Sequence, residues 1–199
     1  MKLLLLTILA IQPPFAHSVT PVTRADLPHS WRPGCPVAPA QLRRLRVSYW
    51  GFDGRAHTGT LIVHSSVTGD LRKVFRRLYL AEFPIRRMRS VDVYGASDDR
   101  SMAADNTSAF NCRFVSGTRR WSMHAYGKAV DVNPVENPYV SGSRVQPPAG
   151  QAYLNRSNVR PGMATRGGTL VRAFSAVGWK WGGLWTGTPD YQHFSTTGS

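Results

Sequence analysis

Two short segments carry residue types that could do chemistry together. The first runs Ser122-Met123-His124-Ala125-Tyr126-Gly127-Lys128-Ala129-Val130-Asp131-Val132-Asn133 and sets a histidine before a glycine turn and an aspartate inside a short apolar run. Successive side chains of a strand point to opposite faces, so Val130 and Val132 can fill a core while Ala129, Asp131 and Asn133 face the other way. Gly127 lets the chain fold back and bring His124 alongside Asp131. The second segment, Asp190-Tyr191-Gln192-His193-Phe194, holds an aspartate and a histidine three residues apart among aromatics. His124, Asp131 and His193 would together offer two imidazoles and one carboxylate, a ligand set suited to Zn²⁺ that leaves a fourth position for water. Asp190 would then be available as a base. Taken singly, each segment reads equally well as a structural histidine with a capping aspartate, and it is their joint occurrence that favours a site.

With eleven Asp+Glu and six His in the chain, every other titratable group can be weighed. His57, in a turn region, and His64, at a strand end, read as structural. Glu82 reads as a solvated helix residue paired with Arg86. Glu136 follows Asn133-Pro134 and is the alternative base. Asp98-Asp99 reads as a loop cap or an ion pair with Arg100 rather than a metal pair. Trp179, Trp181 and Trp185 either wall a cleft or fill the core. The chain has no HExxH, Walker loop, GxSxG or GxGxxG pattern, which removes zincin, phosphate-loop, serine-hydrolase and dinucleotide readings.

The elements that must position these residues follow from periodicity. Residues 45–52 and 58–64 are β-rich and are joined across Asp53-Gly54, a hairpin signal. Over 70–83, Leu71, Val74, Phe75, Leu78 and Ala81 fall at helical spacing, with Pro84 beyond the end. Residues 90–94 read as a short strand and 95–118 as a long polar loop, unusual enough in a compact domain to suggest function. Residues 129–133 form a strand, 134–168 a Pro- and Gly-rich excursion, and 169–177 a second helix ended by Gly178. Sheet and helix occur without βαβ alternation, so the expected class is antiparallel α+β.

At 199 residues the chain is sized for one domain. Its 18 Gly and 14 Pro exclude a coiled coil, and 42% hydrophobic residues exclude disorder. A formal net charge of +14 favours polyanionic surroundings, among them acidic wall polymers. The arginines are scattered rather than grouped in a basic helix, so no nucleic-acid module is expected. Met1-Lys2 followed by an apolar run to Ile11, with Ala16-His17-Ser18 as a cleavage site, reads as a signal peptide over 1–18, with no later membrane span. Residues 19–40 read as an extended arm and 41–199 as the domain. In an oxidising compartment the two cysteines, Cys35 and Cys112, are expected to pair.

Ser122-x-His124-x-x-Gly127-x-Ala129-x-Asp131 followed by Asp190-x-x-His193-Phe194 resembles the signature of the VanY-type zinc peptidases of family M15. The likeness extends to 106–113, Trp121-Ser122, Asn133-Pro134 and the tryptophan-rich 178–185. It implies a Hedgehog/DD-peptidase-like α+β fold with a small antiparallel sheet, packed helices and a zinc site in a cleft. The activity implied is hydrolysis of peptidoglycan stem peptides, as a D-alanyl-D-alanine carboxypeptidase or as an L-alanyl-D-glutamate endopeptidase. Residue by residue it assigns Zn²⁺ to His124, Asp131 and His193, acid/base work to Asp190, carbonyl polarisation to Arg113 ahead of Arg119 and Arg120, and substrate hydrogen bonding to Ser122. The expected protein is a secreted, wall-associated monomer. A non-catalytic basic wall-binding domain is the alternative from a different class.

Overall fold

The computed structural model describes residues 12–198. β1 (His17–Pro21), β2 (Leu42–Trp50) and β3 (Ala56–His64) form an antiparallel sheet in the order β1-β2-β3. The β2–β3 pair is the expected hairpin, turning through Asp53-Gly54. α1 (Thr68–Leu80) follows at the position expected from its spacing. Its buried residues Leu71, Val74, Phe75, Leu78 and Tyr79 form one stripe, while Arg72, Lys73, Arg76 and Arg77 face solvent. α2 (Asp98–Ala103) lies within the stretch read as a loop. β4 (Ala129–Asp131) leads to a second hairpin, β5 (Tyr139–Ser141) with β6 (Arg144–Gln146), and then to α3 (Thr169–Ser175). β7 (Lys180–Trp181) and β8 (His193–Ser195) complete a second antiparallel sheet in the order β4-β8-β7. Helices and small antiparallel sheets make the chain α+β, as expected.

One core joins the pieces. Leu45, Val47, Leu61 and Val63 of the first sheet meet the apolar stripe of α1, the Leu170, Ala173 and Phe174 face of α3, and Val130, Val132 and Phe194 behind the second sheet. Phe174 stacks on Phe194 with centroids 4.2 Å apart, so the helix backs the strand that carries His193. Complete burial of each such side chain contributes about 1.5–3 kcal/mol. Trp179 and Trp181 belong to this core.

A smaller core gathers Val22, Leu27, Val37, Leu42, Ile62, Phe110 and Cys112. It draws the 19–40 segment onto the domain, and the Cys35–Cys112 disulfide fixes it there. Of the stretch read as a leader, residues 1–11 lie outside the described residues. Phe15 packs near Tyr79, and His17 and Ser18 pair with Val47 and Arg46. Among the described residues no helix is long and apolar enough to cross a membrane.

Three local readings change. Residues 91–94 form a 3-10 turn rather than a strand: Ser90 Oγ accepts the Asp92 amide, and the Asp92 carboxylate accepts the amides of His29 and Ser30 and the Ser30 hydroxyl at 2.7–2.9 Å. These bonds override the β preference of Val91 and Val93. Glu82 lies past the end of α1, and Arg86 instead approaches Asp105 and Glu136 at 3.5 and 3.6 Å. Asp98 and Asp99 sit in the first turn of α2, where Asp98 pairs with Arg113 and Asp99 accepts from Gln146, not Arg100.

Candidate metal centre

The pairing of β4 with β8 sets Asp131 directly opposite His193. Cross-strand neighbours share a face with Cβ atoms roughly 4.5–5.5 Å apart, so the register alone brings the two side chains within reach. His124 arrives on a 3-10 turn, Met123–Tyr126, capped by Ser122, whose Oγ accepts the His124 amide at 3.3 Å. Gly127 ends that turn at φ +64°, and a Cβ there would lie 2.7 Å from the His64 amide nitrogen. Both the left-handed conformation and the close approach to β3 therefore require glycine. Gly182 makes a second close approach: its carbonyl accepts the Asp190 amide, and a Cβ would lie 2.8 Å from the Asp190 carbonyl oxygen.

His124, Asp131 and His193 are all buried. His124 Nε2 lies 3.1 Å from Asp131 Oδ2 and 3.2 Å from His193 Nδ1, and His193 Nδ1 lies 3.1 Å from Asp131 Oδ1. His124 Nδ1 donates to the Ala109 carbonyl at 2.6 Å, which leaves the Nε2 lone pair facing its two neighbours. Burial disfavours charge on each group, yet the Asp131 carboxylate holds His124 above the ordinary imidazole value. Burial likewise opposes ionisation of Asp131, but His124 and His193 hold it below the usual carboxylate range.

The donor set fits a divalent ion. A tetrahedron with ligand bonds of ~2.0–2.1 Å has edges of about 3.3 Å, close to the observed donor separations. Among the described residues this is the one group of three or more His, Cys, Asp or Glu residues able to hold a metal. Among the described residues no fourth side chain joins the group, and its three members line an open cleft of about 810 Å³. That arrangement suits a reactive site better than a closed structural one.

Asp190 lines the same cleft. Burial pushes its carboxyl up to about 7, with Asp131 adding to the shift and His193, His124 and Arg113 opposing it, and its Oδ1 has no partner. Arg113, Arg120 and Ser122 also line the cleft, whereas Arg119 does not. The Arg113 guanidinium is tied to Asp98. Trp185 is the one tryptophan of the 179, 181 and 185 set on the cleft wall, and its ring lies 5.3 Å from that of His193. Glu136 is absent from the lining. It is 1% exposed and packs with Asp105, Arg86 and Tyr153.

Sequence reasoning missed most of the outer wall: Met102 from α2, and Tyr139, Ser141, Arg144 and Gln146 from the β5–β6 hairpin. The alternation Tyr139-Val140-Ser141 and Arg144-Val145-Gln146 around Gly142-Ser143 was the available signal.

Residues 116–196 match the M15 peptidase family model described as D-alanyl-D-alanine carboxypeptidase, which bears out the M15 resemblance. The matched stretch contains His124, Asp131, Asp190 and His193 and begins just after Arg113. No curated protein and no solved structure matches the chain.

Proposed function

We propose that this M15-type chain is an exported zinc-dependent peptidase of peptidoglycan stem peptides, acting as a D-alanyl-D-alanine carboxypeptidase on a Hedgehog/DD-peptidase-like fold. The observation that carries the reading is the meeting of His124 Nε2, Asp131 and His193 Nδ1 in an open cleft that also contains the buried carboxyl of Asp190. His124, Asp131 and His193 would hold Zn²⁺, which would supply Lewis acidity for a substrate carbonyl and for the acidity of the attacking water near neutral pH.

The remaining steps belong to side chains of the chain. Asp190 accepts the proton of the attacking water and passes it to the departing amine, work suited to a carboxyl that lines the same cleft as the three ligands and whose Oδ1 has no partner. Arg113, held by Asp98, supplies positive charge for the developing oxyanion. Ser122 holds the His124 turn and presents its hydroxyl at the cleft wall. The Ala109 carbonyl keeps His124 in its ligating tautomer.

Export is supported by the sequence of residues 1–18 and by the Cys35–Cys112 disulfide. The basic face of α1 suits contact with anionic wall polymers. A non-catalytic wall-binding role would call for a closed metal site, and the three ligands here border an open cleft.

Mass spectrometry of a mixed muropeptide digest tests the reading. Pentapeptide stems should lose one terminal D-alanine in the presence of Zn²⁺ and remain intact with the His193→Ala variant. Cleavage between L-alanine and D-glutamate would replace the carboxypeptidase reading with the endopeptidase one. An unchanged digest would overturn both.

A further inference from the structure

Two ribbons border the cleft. One is the 114–121 turn, closed by the Phe114–Trp121 bridge and by the Val115 amide donating to the Arg120 carbonyl at 2.8 Å. The other is the β5–β6 hairpin, in which Tyr139 pairs with Gln146 and Ser141 with Arg144. Residues two apart on a strand, and residues directly opposed across a pair, share a face. Tyr139, Ser141, Arg144 and Gln146 therefore form one face of the hairpin, and all four line the cleft. Strand periodicity, rather than a loop excursion, delivers the Arg144 side chain to this wall.

The hairpin is tied to the residues assigned to the chemistry. Tyr139 bridges the backbone of Asp190, and the Val140 amide donates to the Pro189 carbonyl at 2.9 Å. On the other side, Gln146 Nε2 donates to Asp99 Oδ1 of α2 at 3.3 Å. The Ser141–Arg144 pair lies two residues beyond the Tyr139–Gln146 pair, roughly 7 Å farther along the ribbon from the Asp190 level. The carboxylate of a C-terminal residue lies only about 3–5 Å from the preceding carbonyl carbon, so the Arg144 guanidinium must reach back along the ribbon toward Asp190, an interval that an arginine side chain can cover.

Charge pairing singles out two cationic groups in the cleft. Arg113 is occupied by Asp98. Arg120 and Arg144 line the cleft without an ion-pair or side-chain hydrogen-bond partner among the described residues. We infer that Arg144, assisted by Arg120, binds the C-terminal carboxylate of the peptide substrate and is the residue that makes the site prefer free-acid over capped peptide ends. The inference rests on the peptidase reading above and deepens it by naming how the peptide end is held. Guanidinium groups bind carboxylates through paired, charge-assisted hydrogen bonds, which a neutral amide cap cannot reproduce.

The test compares a short peptide ending in D-Ala-D-Ala as the free acid and as the C-terminal amide, with zinc-loaded full-length protein. The parent chain should favour the acid through KM. Arg144→Gln should raise KM for the acid roughly tenfold with kcat within about twofold, leave the amide unchanged, and be partly rescued by Arg144→Lys. Raising salt should erode the acid preference of the parent and not that of Arg144→Gln. Calorimetric binding of the same two peptides separates this inference from the peptidase reading. Tighter binding of the acid that disappears in Arg144→Gln supports the carboxylate site even if neither peptide is hydrolysed. Equal affinity of the parent chain for acid and amide, or an equal loss for both in Arg144→Gln, would overturn it.

Discussion

Glu136→Gln should make the protein less sensitive to alkaline pH while leaving catalysis intact. Glu136 is buried beside Asp105, with one carboxylate oxygen lacking a partner and Arg86 at 3.6 Å from the other. Burial, reinforced by Asp105, pushes its carboxyl from 4.5 up to about 8. Protonated Glu136 is thus favoured in the folded state. The associated stability is fully present below about pH 4.5 and is lost as pH rises through about 8. At ~1.4 kcal/mol per pKa unit the ceiling on that loss is roughly 5 kcal/mol. A change of about 2 kcal/mol or more, well inside that ceiling, is expected between pH 5 and pH 9. Glutamine cannot ionise. Urea denaturation of both proteins at several pH values should therefore show the stability of Glu136→Gln, measured relative to the parent, rising with pH. A difference that is flat from pH 5 to pH 9 would refute the reasoning, and a large loss of kcat would return Glu136 to the role of base.

Replacing Cys35 and Cys112 together by serine removes a cross-link between residues 77 apart and should cost up to about 4–5 kcal/mol in chemical denaturation; reduction should add 2 Da to the intact mass. Gly127→Ala forces a Cβ toward the His64 amide in a left-handed turn, so zinc content and stability should fall together; a stable, zinc-replete variant would show that the turn can relax. Attachment to isolated cell walls should weaken sharply with salt, and Arg72→Gln with Arg76→Gln should weaken it at low salt; retention insensitive to both would remove α1 from the interface.

What could be read from the sequence was what short-range periodicity encodes. The β2–β3 hairpin had its Asp53-Gly54 turn, α1 its apolar stripe, and α3 its Gly178 stop. The candidate metal-binding residues stood out because a histidine, a glycine turn and a strand aspartate occupy neighbouring positions. The register of Asp131 against His193 was not legible, since it depends on the long-range pairing of β4 with β8. For the same reason the partners of some carboxylates were misread. Arg86, read as the partner of Glu82, lies against Asp105 and Glu136, and Asp98, read as a loop cap or a partner of Arg100, is bonded to Arg113. α2 was missed because six residues beginning Asp98-Asp99-Arg100 carry too little apolar periodicity to separate a short helix from a polar loop. The β5–β6 hairpin was hidden by its three-residue strands and by the Pro and Gly residues around them.

In the proposed mechanism His193 holds the metal while Asp190 moves the proton, and zinc content measured alongside the rate of D-alanine release for Asp190→Asn separates the two roles. Asparagine preserves the size of the side chain and can still hydrogen-bond water, but it cannot take a proton. Asp190→Asn should keep near-stoichiometric zinc with kcat lowered by ~10²–10⁴-fold. Hydrolysis at the parental rate, or loss of zinc in the same variant, would contradict that division of roles.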